Sequence, residues 1–196
     1  MIPNLFKRAA RQGAKLFLVM AGCNALFILL GLALPRAAPS LAPSPSQIGS
    51  LPTASYSVYQ ILVHVVTGFG AGAVSLDPAV ALIGGVVGPL IDFDHLGFFA
   101  GLPVEARVGH SLFLVALVVL LDSRLRFWGK GTRNLFLFLA LEYCVHFAVA
   151  PPGFPLLAPL TFANFYFSRV FPAAFAVVFA VAFLFDSMGS RMRGSR

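Results

Sequence analysis

Apolar residues run nearly uninterrupted through six windows of this chain, 16–34, 58–76, 78–98, 109–123, 134–150 and 170–186. Each approaches the roughly 20 residues that an α-helix needs to cross a bilayer core, although the fourth is short. The pattern predicts an all-α protein, a polytopic membrane bundle of about six helices. Gly88 and Pro89 interrupt the third window, so that helix is expected to be broken. Lys7, Arg8, Arg11 and Lys15 precede the first run. That run reads as a retained anchor rather than a signal core, because Leu16 to Leu34 is long and uncharged and no clean small-residue cleavage site follows.

Between the first two runs, "PRAAPSLAPSPSQIGSLPTASYS" (35–57) is too rich in Pro, Ser and Ala to bury a core and reads as an outer linker. The expected organisation is therefore a basic N-terminus and anchor helix (1–34), the linker (35–57), a five-helix membrane body (58–186) and a basic tail (187–196). Gly68, Gly72, Gly84 and Gly88 give helices two and three the small-residue spacing that allows close helix approach. "GFGAG" within helix two is not a phosphate loop, since no strand precedes it. "PPGFPLLAPLTFANFYF", before the last helix, is too broken to span and too apolar for open solvent, and is expected to form a re-entrant or interfacial cap.

Composition sharpens the membrane reading. The chain is 59% hydrophobic and 11% charged, with a mean hydropathy of +0.88, against roughly 25% charged residues in soluble domains. A net charge of +7 raises the question of nucleic acid, and the placement of the cations answers it. Eleven of the fourteen fall into three blocks, before helix one, between helices four and five, and after helix six. Six spans put all three blocks on one side, which the positive-inside rule makes cytoplasmic. The expected location is the plasma (inner) membrane with both termini cytoplasmic, and basicity needs no nucleic-acid partner. Cys23 and Cys144 lie within apolar helices and behave as small hydrophobes.

The same topology assigns a depth to each titratable group. His64, Asp92, Asp94, His95, His110, Glu142 and His146 all fall near the outer membrane face, with Glu105 and Arg107 in the adjoining loop. A carboxylate inside a membrane costs roughly 2.5–3.5 kcal/mol on insertion scales and needs a compensating partner. Arg107 alone cannot neutralise several acids and also satisfy the histidines, whereas one or two divalent ions can do both. The expected metal ligands are drawn from His64, Asp92, Asp94, His95, His110 and His146, with Zn²⁺ first and Mn²⁺ or Fe²⁺ next. Glu142 and His146, four residues apart, share a helical face. Ser111 follows His110 directly and so does not face it, which argues against a serine nucleophile. Asp77, Asp122 and Asp186 sit at the other helix ends and are expected to be solvated caps.

His64 with Gly68 and Gly72, "IDFDH" (91–95), "GHS" (109–111) and His146 ahead of "GFPLLAP" (153–159) follow one another in an order and spacing that resembles the YdjM-like family of inner-membrane metal-dependent hydrolases, in some bacteria under LexA control. The similarity covers roughly residues 60–165. Ile91 stands where that family's pattern has proline, Gly109 where it has threonine, and Ala150 where it has an acidic residue one turn after the last histidine. A more distant similarity, to zinc-dependent phospholipases C and related nucleases, implies phosphoester hydrolysis.

The function expected from these residues is metal-dependent hydrolysis of a lipid or other amphiphile near the outer leaflet. A bound ion would activate water, Asp94 or Glu142 would act as general base, and Arg107 would hold a phosphate oxygen. Two rivals follow from the same residues: an ion or proton transporter, and a catalytically inactive scaffold, which Ala150 favours. The transporter predicts titratable groups also in the cytoplasmic half, which reads as almost purely apolar. The sequence does not determine the oligomeric state or the substrate.

Overall fold

A computed structural model of the chain describes residues 2–37, 58–92, 108–149, 154, 156–157 and 165–194. These residues form six α-helices, α1 (Ile2–Ala37), α2 (Val58–Ala73), α3 (Pro78–Leu90), α4 (Leu112–Leu125), α5 (Thr132–Val149) and α6 (Val170–Gly194). A 3₁₀ turn at Val108–His110 leads into α4, and one backbone bridge pairs Phe154 with Phe165. The all-α class is therefore observed.

The 36-residue α1 carries the basic segment on its own first turns instead of behind a flexible leader. Leu16, Met20, Cys23 and Phe27, spaced along one face, are buried in a core shared with α3, α4, α5 and α6. The helix thus packs as part of the body and continues through Pro35 to Ala37, three residues into the stretch expected to be linker; residues 38–57 lie outside the described ones.

In α3 the start and the end are both legible in local chemistry. Asp77 caps it by accepting the Ala79 N–H at 2.9 Å, and Pro78 occupies the first helical position, where no N–H is needed. The helix runs through Gly88 and Pro89 and stops at Leu90. Ile91 and Asp92 then turn their N–H groups onto the carbonyls of Gly88 and Pro89, at 3.4 and 3.2 Å. The helix ends at the interruption expected there, which places Asp92 in a turn; residues 93–98 of that window lie outside the described ones.

The α2–α3 pair is antiparallel and unusually close. A Cβ on Gly68 would run into the Gly84 carbonyl, one on Gly84 into the Gly68 carbonyl, and one on Gly88 into the carbonyl of His64. Only glycine allows this approach.

Within the described residues one helix, over Val170–Met192, is long and apolar enough to cross a membrane, with a mean hydropathy of 2.1 and 11% of its window buried. α2, α3 and α4, at 16, 13 and 14 residues, are shorter than a full span. Large apolar side chains nevertheless cover much of the outside, including Leu18, Leu29, Val66, Phe171 and Phe185, while His64, Asp92, His110, Asp122, Glu142 and His146 are buried. This is the reverse of the usual soluble arrangement.

At the pole opposite Asp92, the three aspartates expected to be solvated caps are instead paired with neighbouring segments, and Asp77 and Asp122 are buried. Asp77, 7% exposed, pairs with Arg8 of α1 at 2.6 Å and with Lys130 of the α4–α5 turn. Asp122, 1% exposed, accepts the Trp128 N–H at 2.8 Å and the Thr132 hydroxyl at 3.0 Å. Asp186 accepts from Asn134 Nδ2 at 2.9 Å and lies 3.3 Å from Arg133 Nε. Neighbouring helices supply donors where water was expected, so these acids tie turns to helices instead of fraying into solvent. Burial pushes the Asp77 carboxyl up, but the hydrogen bonds from Lys130 and the Ala79 N–H, with the charges of Lys130 and Arg8, reverse this and hold it below the usual carboxylate range.

Gly84→Ala should lower the thermal midpoint of the detergent-solubilised protein by the equivalent of about 2–4 kcal/mol, as overpacking against backbone does. Gly85→Ala, whose Cβ would meet only ordinary contacts at 3.5 Å and beyond, should change it little. Because the folded Asp77 pKa is depressed, its contribution is complete above the unfolded value of about 3.9 and disappears as pH falls through the folded one. The difference in thermal midpoint between the natural protein and Asp77→Asn should therefore be flat from about pH 8 to 5 and close in stronger acid.

Candidate metal centre

His64 projects from the first half of α2, Asp92 from the turn after α3, His110 from the 3₁₀ turn before α4, and His146 from the last turn of α5. The glycine seam sets the first contact. With Gly88 against the His64 backbone, Asp92 lies one turn farther on, and its Oδ2 sits 3.1 Å from His64 Nε2. On the other side of the carboxylate, Oδ1 is 3.1 Å from His110 Nε2 and 3.5 Å from His146 Nε2. The last two nitrogens are 3.0 Å apart, and the rings of His64 and His146 stack with centroids 4.3 Å apart.

Local packing holds each group in place. The Tyr143 hydroxyl donates to the Gly109 carbonyl at 2.6 Å and pins the 3₁₀ turn that presents His110. A side chain on Gly109 would strike the Ile91 carbonyl, so the residue before His110 must be glycine here, and a threonine at that place could not fit. Ser111 caps α4: its Oγ accepts the Phe113 N–H at 3.1 Å and donates to the Leu156 carbonyl at 3.4 Å. This is a structural role. The His110 ring lies against Phe154 and Phe147, at centroid distances of 5.2 and 6.2 Å, and Phe154 is fully buried. Phe154, beyond α5, therefore covers the His110 side of the site.

Three imidazole nitrogens converging on one buried carboxylate form a donor set suited to a divalent cation. His64, Asp92 and His146 each offer a ligand atom within 4.8 Å of the others, and all three are buried. Protons alone serve this arrangement poorly. His110 and His146 face one another and also face the same oxygen, and one N–H cannot point along both directions. A cation needs no such proton, and His64, Asp92 and His146 offer their ligand atoms close enough to one another to hold one. His64 Nδ1 is buried without a hydrogen-bond partner, a local cost of the kind found at functional sites.

Of the residues expected at the site, His64, Asp92, His110 and His146 come together; Asp94, His95 and Arg107 lie outside the described residues, as does Ala150. Glu142 is 2% exposed and is not one of the three residues whose ligand atoms converge. Its carboxylate faces the glycine seam, with Oε1 within 2.9 Å of where a Cβ on either Gly68 or Gly88 would stand, while Oε2 has no hydrogen-bond partner. Asn24 of α1 escaped the sequence reading. It is fully buried, its Nδ2 donates to the Met20 carbonyl at 3.1 Å, and its Oδ1 approaches Gly109. Its signal was present, as the one strongly polar residue in the first apolar run. Tyr143 gave no such signal, since an aromatic in an apolar helix reads as packing.

Comparison of the chain with protein-family models, with characterised proteins and with solved structures finds no match. The likeness in motif order thus stands on the quoted residues alone.

Elemental mass spectrometry of the purified full chain should find about one divalent ion per molecule, reduced at least tenfold in Asp92→Asn and in His146→Ala. Asp77→Asn, at the other pole, should keep it. An ion-free natural protein, or unchanged content in both site variants, would refute the centre.

Proposed function

We propose that the chain is a multi-pass membrane protein whose buried His64, Asp92, His110 and His146 hold a divalent ion, Zn²⁺ first and Mn²⁺ or Fe²⁺ next, for hydrolysis of a lipid or amphiphilic phosphoester near the outer leaflet. The observation that carries this reading is the Asp92 carboxylate, enclosed by three imidazoles in a surround of apolar helices. The cationic blocks around residues 7–15, 124–133 and 191–196 support termini on the cytoplasmic side, and with them a site at the opposite face. The likeness to YdjM-like hydrolases points to the same chemistry.

An ion in this donor set supplies Lewis acidity toward water and toward a phosphoryl or carbonyl oxygen. The protein's own contributions are positional. Asp92 compensates the ion's charge in a low-dielectric surround, where electrostatic interactions are strongest. Phe147 and Phe154 exclude water from the His110 side. Glu142, one turn from His146 on the same face of α5, is the carboxylate available to take a proton from the attacking water. Asp94 as base and Arg107 as phosphate anchor belong to the same proposal.

A second reading, ion or proton passage, is favoured by one observation. The half of the body that reads as apolar in sequence holds Asp77, Asp122 and Asp186, so titratable groups stand at both poles with Glu142 between the helices.

The test is headgroup or phosphate release from synthetic phospholipids by the chelated and metal-reloaded full chain in mixed micelles. Reloading should restore turnover, Asp92→Asn should lower kcat/KM at least 100-fold, and Glu142→Gln should lower kcat by about 10²-fold or more. Stoichiometric ion binding with no hydrolysis, together with Glu142-dependent ion or proton flux in vesicles, would replace hydrolysis by transport.

A further inference from the structure

At the pole opposite the metal centre, a cavity of about 530 Å³ opens between α1, the α2–α3 turn, the α4–α5 turn and the end of α6. Arg8, Lys130 and Arg191 line it with Asp77 as the one acid, and Ser187 and Ser190 add hydroxyls. The lining carries a net charge of +2. Arg8 uses one guanidinium nitrogen on Asp77, Lys130 binds the other oxygen of the same carboxylate, and Arg191 donates to the Leu76 carbonyl. Each cation therefore keeps N–H donors for a further acceptor, since guanidinium has five and ammonium three. Arg8 is half exposed and Lys130 is 28% exposed, so both can be reached.

A second cavity, of about 480 Å³, lies between α1 and α3, two of the helices that bound the first, and is lined by apolar residues. Arg8 lines the charged cavity, and Ala9, Ala10 and Gly13 after it line the apolar one; Pro78 of α3 lines the first, and Leu82 and Val86 the second. Along α3 the two together cover about 12 Å from Pro78 to Val86, at 1.5 Å per residue. Ser187, Ser190 and Arg191 belong to the last turns of α6, the helix that meets the length and composition of a membrane span. A charged cavity at the end of a spanning helix stands at headgroup depth, and an apolar groove that extends along α3 to Val86, about two turns beyond Pro78, reaches acyl-chain depth.

We propose that this pair of cavities is a binding site for one anionic phospholipid, whose phosphate sits among Arg8, Lys130 and Arg191 and one of whose acyl chains lies in the α1–α3 groove. Charge and the neighbouring positions of the two cavities on α1 and α3 carry the assignment. Basic pockets between membrane helices on the cytoplasmic side select acidic headgroups, and a free anion would leave the apolar groove without an occupant. The small side chains of Ala9, Ala10 and Gly13 keep that groove open. The site draws on the membrane placement proposed above and is independent of the metal chemistry, because none of its lining residues touches Asp92.

The test uses the full chain in a neutral maltoside detergent, titrated separately with phosphatidylglycerol, phosphatidylcholine of the same acyl chains, and inorganic phosphate. Bound lipid is counted by native mass spectrometry and stability is read as a thermal midpoint. One phosphatidylglycerol per chain should bind at least tenfold more tightly than phosphatidylcholine. Arg191→Gln should weaken it at least fivefold and Arg191→Lys much less. Ala10→Leu should weaken the lipid without altering the response to inorganic phosphate. Arg191 is exposed and bonded only to a backbone carbonyl, so its replacement should leave the fold and the metal content unchanged. Equal binding of the two lipids, an unaltered affinity in Arg191→Gln, or stabilisation by inorganic phosphate equal to that by phosphatidylglycerol would each overturn the proposal. The metal content measured on the same samples separates this failure from failure of the hydrolase reading.

Discussion

The backbone contact between α2 and α3 is the constraint on which the centre depends. Gly68, Gly84 and Gly88 let the two helices meet carbonyl to Cα, and that contact brings the His64 backbone beside Gly88. Asp92 follows Gly88 by four residues, so the same contact delivers its carboxylate to His64. Were α2 and α3 separated by even a methyl group, the carboxylate would lose its first imidazole, and the partners from the 3₁₀ turn and α5 would face a half-satisfied acid. Burying a charge without compensating donors is expensive, and here the compensation comes from three different segments of chain. Helix packing and site assembly are thus one event.

The molecule divides its polar chemistry between two poles. Around Asp92 the donors are imidazoles, groups that can exchange protons for a cation. Around Asp77, Asp122 and Asp186 they are two guanidinium groups, an ammonium, a side-chain amide, a hydroxyl and backbone N–H groups, which keep their protons and act as fixed donors. The difference in donor type separates a pole suited to chemistry from one suited to holding turns together, and the latter leaves surplus positive charge facing the end of α6. Between the poles, Glu142 occupies a space that the glycine seam leaves open, with one oxygen lacking a partner.

Much of this was readable in advance, and the failures have physical causes. The helix windows, the glycine spacing and the four residues of the centre follow from hydropathy and from the rarity of ionisable groups in apolar runs. Asn24 and Tyr143 were missed because their parts are played across helices, in contacts that a linear reading does not show. The end of α3 was legible in Gly88 and Pro89, whereas the turn of the Ile91 and Asp92 N–H groups onto their carbonyls was not. The pairing of Asp77, Asp122 and Asp186 was likewise invisible, because a helix-end aspartate has the same sequence context whether water or a neighbouring helix supplies its donors.

The sequence by itself determined that the chain is helical, that its exterior is apolar, and that imidazoles and carboxylates gather toward one end of the helices. These are consequences of composition and of periodic position along each helix, and both are local. The tertiary structure alone decided which of those groups meet, that α1 belongs to the core, and that the opposite pole holds an open cavity with surplus positive charge. Each of these depends on how closely helices distant in sequence approach, a distance governed by the volume of facing side chains and above all by the glycines between α2 and α3.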